Sequence, residues 1–399
     1  MKINRRRFLS TLSAGALTAA YPGLSLARGD TDNRFVLVVL RGGLDGIGAV
    51  PPIGDPDYAP ARKSLALALA TPSGADGALP LDADFGLHPA LAELHELYLR
   101  KELAIVHAVA TPYRERSHFD GQDVLENGMS TAGGARDGWL NRALASMPGD
   151  ASVIGDERGI AIGQTVPLVL RGATRVSSWA PSTLPDVSED TLERIAWMYD
   201  RDEFFASRLQ QALAARDLVD DDKGGSRRGR QSMQRIFAAA GKFLAASDGP
   251  RVAVLDTSGW DTHANQGAAN GQLANRLRNL DAAVAALKTA LGDAWASTIV
   301  AVATEFGRTV AINGTRGTDH GTASCAFFCG GAVAGGRVIA DWPGLASGAL
   351  QDGRDLRPTT DLQTVFKGIM RDHLGVAERE LDRDVFPDGA SGRPVVITA

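Results

Sequence analysis

The sequence predicts an α/β protein: a doubly wound, mostly parallel sheet with flanking helices and a small β insertion. Three observations carry that expectation. Short runs of β-branched and apolar residues recur along the chain, helical patterns lie between them, and the chemistry-bearing residues fall directly beside the ends of the runs. Alternation of strand and helix is the pattern of a parallel sheet covered on both faces.

The first run is Phe35-Val36-Leu37-Val38-Val39-Leu40, continuous rather than alternating. A strand buried on both faces of a parallel sheet reads this way. Ala90 to Leu99 has helical spacing and leads to a second run, Leu103-Ala104-Ile105-Val106-His107-Ala108-Val109. Residues 152–180 are rich in Gly and Val and alternate, suggesting a β-hairpin or excursion within an insertion of about 150–230. The charge-dense stretch from Arg216 to Arg230 reads as a solvated loop. A third run spans Arg251 to Asp256. The clearest helix follows it, with Leu273, Leu277, Leu280, Val284, Leu287 and Leu291 spaced by four and three. Thr298 to Ala303 is the fourth run and Ser324 to Cys329 the fifth. Leu362 to Leu374 closes the series as a helix. No internal repeat interrupts the order, so residues 28–399 read as one domain with an insertion.

Composition narrows the function classes. With 42 basic residues against 47 acidic ones, the net charge of -5 gives no footprint for nucleic acid. The two cysteines, Cys325 and Cys329, lie four apart on one predicted strand, too distant to bridge, and read as buried free thiols.

The amino terminus reads as an export signal. Lys2, Arg5, Arg6 and Arg7 precede a mildly apolar stretch from Phe8 to Ala20, and Ser25-Leu26-Ala27 supplies small residues for cleavage. The paired arginines point to the twin-arginine machinery as a partner, with residues 1–27 removed. No other run reaches the ~18 apolar residues of a membrane span. The expectation is a periplasmic or extracellular protein with no stable membrane anchor after cleavage.

Open α/β sheets build their sites beyond the carboxyl ends of the strands. The first run is followed by Arg41-Gly42-Gly43-Leu44-Asp45-Gly46, the second by Arg114, Arg116, Ser117, His118 and Asp120. Asp261 and His263 follow the third, Glu305 and Arg308 the fourth, and Asp319-His320-Gly321 precedes the fifth. Three of the seven histidines thus fall in these loops, each within two residues of an aspartate.

Oxygen and imidazole donors suit Zn²⁺ or Mn²⁺, with Mg²⁺ or Ca²⁺ if carboxylates dominate. The candidate ligands are Asp45, Ser117, Asp261, His263, Asp319 and His320. They would hold one or two divalent ions, and a pair ~3.5–4 Å apart would clamp both oxygens of a phosphoryl displacement. Ser117 heads a predicted helix, where an anion is favoured, and is the candidate nucleophile. Arg116 and Arg308 are candidates to bind an anionic ester substrate. Each residue also has a plainer role open to it. Asp45 suits a turn, Ser117 an N-cap, Asp261 and His263 a mutual hydrogen bond, and Glu305 with Arg308 an ion pair. His107 reads as a core histidine.

Several motifs together resemble the bacterial domain-of-unknown-function family 1501. They are the twin-arginine start, Leu40-Arg41-Gly42-Gly43-Leu44-Asp45-Gly46, Phe85-Gly86-Leu87-His88-Pro89, Arg116-Ser117-His118-Phe119-Asp120, Gly259-Trp260-Asp261-Thr262-His263, Thr304-Glu305-Phe306-Gly307-Arg308 and Gly317-Thr318-Asp319-His320-Gly321. The resemblance runs from about Arg34 to Pro387. That family in turn resembles the alkaline phosphatase and sulfatase superfamily, which implies an alkaline-phosphatase-like fold and one or two metals. By that resemblance Asp45 is the first-strand metal aspartate and Ser117 the hydroxyl nucleophile. Asp319 with His320 matches the Asp-His metal pair, and Asp261 with His263 serves the second metal. Three departures stand in the sequence. The second pair is spaced Asp-x-His where Asp-x-x-x-His is common, and no histidine occurs between His320 and His373. Ser117-His118-Phe119-Asp120 also lacks the C/S-x-P-x-R setting of formylglycine sulfatases, which favours a phosphate-type ester over a sulfate. The expected function is an exported metal-dependent ester hydrolase; the alternative is a non-catalytic envelope binding or assembly protein on the same scaffold.

Overall fold

A computed structural model describes residues 32–70, 76–148, 158–181, 188–219, 233–388 and 395–399. The export signal at residues 1–27 lies outside the described residues, as does most of the charge-dense stretch after Val219.

Eleven strands are described. They are β1 (Arg34–Arg41), β2 (Leu79–Pro80), β3 (Gly86–Leu87), β4 (Leu103–Ala110), β5 (Gly159–Ile162), β6 (Val176–Trp179), β7 (Val252–Ser258), β8 (Thr298–Thr304), β9 (Ser324–Cys329), β10 (Arg337–Ile339) and β11 (Thr360–Asp361). Nine form one sheet in the order β10-β4-β9-β8-β1-β7-β5-β6, with β11 pairing the end of β4; β2 and β3 pair separately. All five strands expected from the apolar runs are present. Pairing is parallel throughout the large sheet except at β9, which runs antiparallel to both β4 and β8.

Of the two readings of residues 152–180, the hairpin is excluded. β5 and β6 pair in parallel and extend the β7 edge of the main sheet. β5 is buried throughout and only the edge strand β6 is partly exposed; alternation along such short strands carries no information on the direction of the neighbour. The fold is therefore a doubly wound, mostly parallel α/β sheet whose short β segment is built into the sheet itself.

Ten helices serve the argument: α1 (Gly46–Ala49), α2 (Tyr58–Arg62), α3 (Ala92–Leu99), α4 (His118–Asn127), α5 (Trp139–Ser146), α6 (Glu189–Tyr199), α7 (Glu203–Val219), α8 (Met233–Ala245), α9 (Gln272–Leu291) and α10 (Leu362–Asp372). Strand β1 shows why both sheet faces are covered. Val36, Val38 and Leu40 point into a core shared with Leu277, Leu280 and Val284 of α9 and Phe237 of α8. Phe35, Leu37 and Val39 point the other way, against Trp139 of α5 and Phe366 and Ile369 of α10. All six are essentially inaccessible to water. Both cysteines are buried and free, and burial raises their thiol pKa values, so neither offers a thiolate.

Two features gather the functional loops at one edge. The carboxyl ends of β1, β4, β7 and β8 share that edge, and antiparallel β9 begins there. The loop preceding β9 therefore meets the loops that follow its neighbours. Among the described residues no helix is long and apolar enough to cross a membrane.

Candidate metal centre

Asp261 and His263 follow β7, His320 precedes β9, and His118 opens α4 in the segment that follows β4. The loop after β7 is fixed by Trp260, fully buried, whose indole donates to Thr257 Oγ1 at 2.9 Å. It also packs directly on the backbone after β1. Gly42 has φ +123°, and a Cβ there would lie 2.6 Å from the Asp261 nitrogen. The loop before β9 is held to it in turn: Thr318 N–H donates to Thr262 O at 3.2 Å, and Asn313 Nδ2 donates to His263 O at 2.9 Å.

Every one of the three imidazoles has Nδ1 facing an oxygen that can only accept. For His118 it is Glu305 Oε1 at 2.9 Å, for His263 it is Asp319 Oδ1 at 3.1 Å, and for His320 it is the Arg116 carbonyl at 3.0 Å. Nδ1 must therefore carry the proton in each neutral ring, which leaves the lone pair on Nε2. The three Nε2 atoms converge on the Asp261 carboxylate. His263 Nε2 lies 3.0 Å and His320 Nε2 3.2 Å from Oδ1, and His118 Nε2 lies 3.4 Å from Oδ2. The Nε2 atoms of His263 and His320 are 3.0 Å apart. His118 Nε2 is buried without a hydrogen-bond partner.

Lone pairs facing one another at this range repel unless a proton or a cation sits between them. A tetrahedral ion with ligands at 2.0–2.1 Å spaces its donor atoms by ~3.3 Å. The four separations above bracket that value: His118, Asp261 and His320 form one cluster of atoms that could hold a divalent ion, and His263 stands beside it. The anchoring of each Nδ1 is the outer-shell support that metal-bound histidines have. Arg116 takes part through its backbone. It adopts φ +65°, a left-handed conformation a non-glycine residue rarely holds, and two ion pairs of 2.7 Å to Asp352 and Asp355 fix it there.

The electrostatics are set by buried partners. Glu305 is 1% exposed; burial pushes its carboxyl pKa up, but hydrogen bonds from His118, Gln122 and the Gly42 N–H outweigh that and hold it below the usual range. The Glu305 hydrogen bond raises His118 against the effect of burial. Burial lowers His320, and the neighbouring His118 lowers it further. For Asp261, burial is outweighed by Arg308, whose Nη1 donates at 2.5 Å, so the carboxylate stays ionised.

The sequence-predicted residues take different places. Asp261, His263 and His320 come together. Asp319 stands behind them as the acceptor for His263, and its carboxyl is held low first by the Asn313 hydrogen bond. Ser117 is the N-cap of α4, adjacent to His118, and its side chain makes no capping hydrogen bond. Asp45 is directed elsewhere: it caps α1 through Gly48 N at 3.1 Å, accepts from Gln266 Nε2 at 2.5 Å and pairs with buried Arg62. Both candidate arginines have carboxylate partners, Arg116 as above and Arg308 on Asp261. Glu305 and Arg308 do not pair with each other. His118 stood in the motif as a loop histidine near an aspartate, but its ligand-like geometry depends on Glu305, 187 positions away. His107 is a core histidine whose Nε2 bonds Val50 O at 3.0 Å.

A family model described as a protein of unknown function (DUF1501) matches residues 97–391. No curated protein matches the sequence. Among solved structures, Ps i-CgsB in complex with k-i-k-neocarrahexaose is similar over 88% of this chain and 74% of its own, at 9% identity and TM-score 0.42. The C-terminal periplasmic domain of EcEptC from Escherichia coli, in complex with Zn, is similar over 76% and 74%, at 10% identity and TM-score 0.36. The phosphonate monoester hydrolase of Agrobacterium radiobacter covers 90% of this chain and 78% of its own, at 11% identity and TM-score 0.37.

Proposed function

The chain belongs to the DUF1501 family, and from that premise we propose that it is an exported hydrolase of a phosphate-type ester that works with a divalent ion. One observation carries the reading: three imidazoles, each with Nδ1 bound to an acceptor, aim their Nε2 lone pairs at Asp261. His118, Asp261, His263 and His320 would hold the ion, and Zn²⁺ or Mn²⁺ suits three nitrogens and a carboxylate. When bound, the ion supplies Lewis-acid stabilisation of negative charge on the ester and favours the ionised form of a nearby hydroxyl.

The chain's own residues supply the rest. Ser117, beside His118 in sequence and free of a capping bond, is the candidate nucleophile. The positive end of the α4 dipole lies at the same position and favours an anionic substrate. Glu305 and Asp319 keep His118 and His263 in the tautomer that faces inward. Arg308 keeps Asp261 ionised. Export by the twin-arginine route to the periplasm or beyond rests on Arg5 and Arg6.

The engagement of Arg116 and Arg308 with carboxylates favours the second reading, a binding or assembly protein that holds the ion without turnover. Metal analysis joined to a panel of phosphomonoester, phosphodiester and sulfate substrates decides between them. The hydrolase reading expects bound ion and phosphate-ester turnover that Ser117→Ala abolishes while metal content stays unchanged. Bound ion with no turnover on any ester would leave the binding protein. Absence of tightly held ion, with no uptake of added Zn²⁺ or Mn²⁺, would overturn both.

A further inference from the structure

We propose that the centre takes a single divalent ion, and that the buried guanidinium of Arg62 fills the electrostatic place of a second; this rests on the metal reading above. With Asp261 in the histidine cluster, Asp45 and Asp319 are the remaining carboxylates among the candidate ligands, and a second ion would need them. Asp45 is fully committed in the folded chain, and Asp319 is half-exposed with one oxygen committed. Asp45 is 1% exposed and has both oxygens committed: Oδ1 accepts from Gly48 N at 3.1 Å, and Oδ2 accepts from Gln266 Nε2 at 2.5 Å and pairs with Arg62. Asp319 Oδ1 is shared between His263 Nδ1 at 3.1 Å and Asn313 Nδ2 at 2.9 Å.

Arg62 is built in as part of the fold. It is 0% exposed at the end of α2, and its Nη1 donates to the carbonyls of Thr309 and Val310, both at 3.2 Å. A guanidinium keeps its charge at any working pH. Asp45 therefore has a permanent cation of its own, covalently part of the chain. A second divalent ion on Asp45 would leave that guanidinium buried without its counter-charge, a heavily penalised arrangement. Among the described residues, one cluster of three or more ligating side chains is present, made of His118, Asp261 and His320, with His263 beside it.

Native mass spectrometry and elemental analysis of the zinc-loaded protein read the stoichiometry directly. The expected result is one zinc per chain at saturation. Asp45→Asn should retain that zinc with affinity within about threefold of the parent. The double variant Asp45→Asn with Arg62→Met removes both buried charges together and supplies the same readout should the single variant fail to fold. Two zinc ions per chain, or a tenfold loss of zinc affinity in whichever of these variants is folded, overturns the single-ion proposal and leaves the metal reading standing. No zinc bound to the parent protein overturns the metal reading, and this proposal with it.

Discussion

Replacing Glu305 by Gln tests whether a buried carboxylate tunes the centre through His118. Glu305 Oε1 accepts from Gly42 N at 2.8 Å, His118 Nδ1 at 2.9 Å and Gln122 Nε2 at 3.1 Å, and Oε2 meets Thr304 Oγ1 at 2.9 Å. A glutamine keeps an oxygen for the first three. Its amide can donate to Thr304 Oγ1, whose own proton is taken by the Leu40 carbonyl at 2.7 Å. The fold should therefore survive, with metal-free stability within ~1 kcal/mol of the parent, because a buried charge and its desolvation cost leave together. What is lost is the anion behind His118, and with it some of the basicity of Nε2. Outer-shell changes of this kind cost about 10–100-fold in metal affinity, or roughly 1.4–2.7 kcal/mol. Competition against a chromophoric chelator gives zinc affinity, and urea unfolding of the metal-free variant gives the fold control. Affinity unchanged within twofold, in a variant that unfolds at the parent's midpoint, would refute the role given to Glu305 and to His118 as a ligand.

Burial pushes His107 down to about 4, so the folded state refuses a proton that the unfolded chain takes up near pH 6.5. Stability from this group is complete above about pH 6.5 and is lost as pH falls toward 4, by at most ~3 kcal/mol. Chemical denaturation at pH 7 and 4.5 should show a smaller acid loss in His107→Leu than in the parent, and equal losses would contradict the assignment. Gly42→Ala forces a Cβ to 2.6 Å from the Asp261 nitrogen at φ +123°. It should cost about 1–3 kcal/mol and lower zinc affinity together, and a variant with parental values of both would show the contact to be soft. Replacing Arg5 and Arg6 by Lys keeps the charge but should strand the precursor in the cytoplasm when fractions are probed by immunoblot. Normal delivery would point to another export route.

The legible parts of the sequence were those set by local pattern. β1, β4, β7, β8 and β9 announce themselves because a strand buried on two faces needs an unbroken apolar run, and α9 because its leucines repeat every three to four residues. The direction of β9 and the parallel pairing of β5 with β6 depend on partners distant in the chain, which the same patterns do not encode. In the centre, the Asp261-Thr262-His263 and Asp319-His320 loops were visible as donor pairs, but the division of labour was not. Asp319 became a support for His263 because Asn313 turns it that way, and Asp45 an ion-pair partner because α2 places Arg62 against it. His118 gained its role from Glu305, across the sheet edge.

X-ray absorption at the zinc edge of the zinc-loaded protein tests the central claim most directly. The expected shell is one zinc with three imidazole nitrogens and a carboxylate oxygen at about 2.0–2.2 Å, with the outer scattering of three rings. His118→Ala, His263→Ala and His320→Ala should each remove one ring from that shell or abolish binding. A shell of oxygens alone, or one unchanged by any of the three substitutions, would contradict a centre built on these imidazoles.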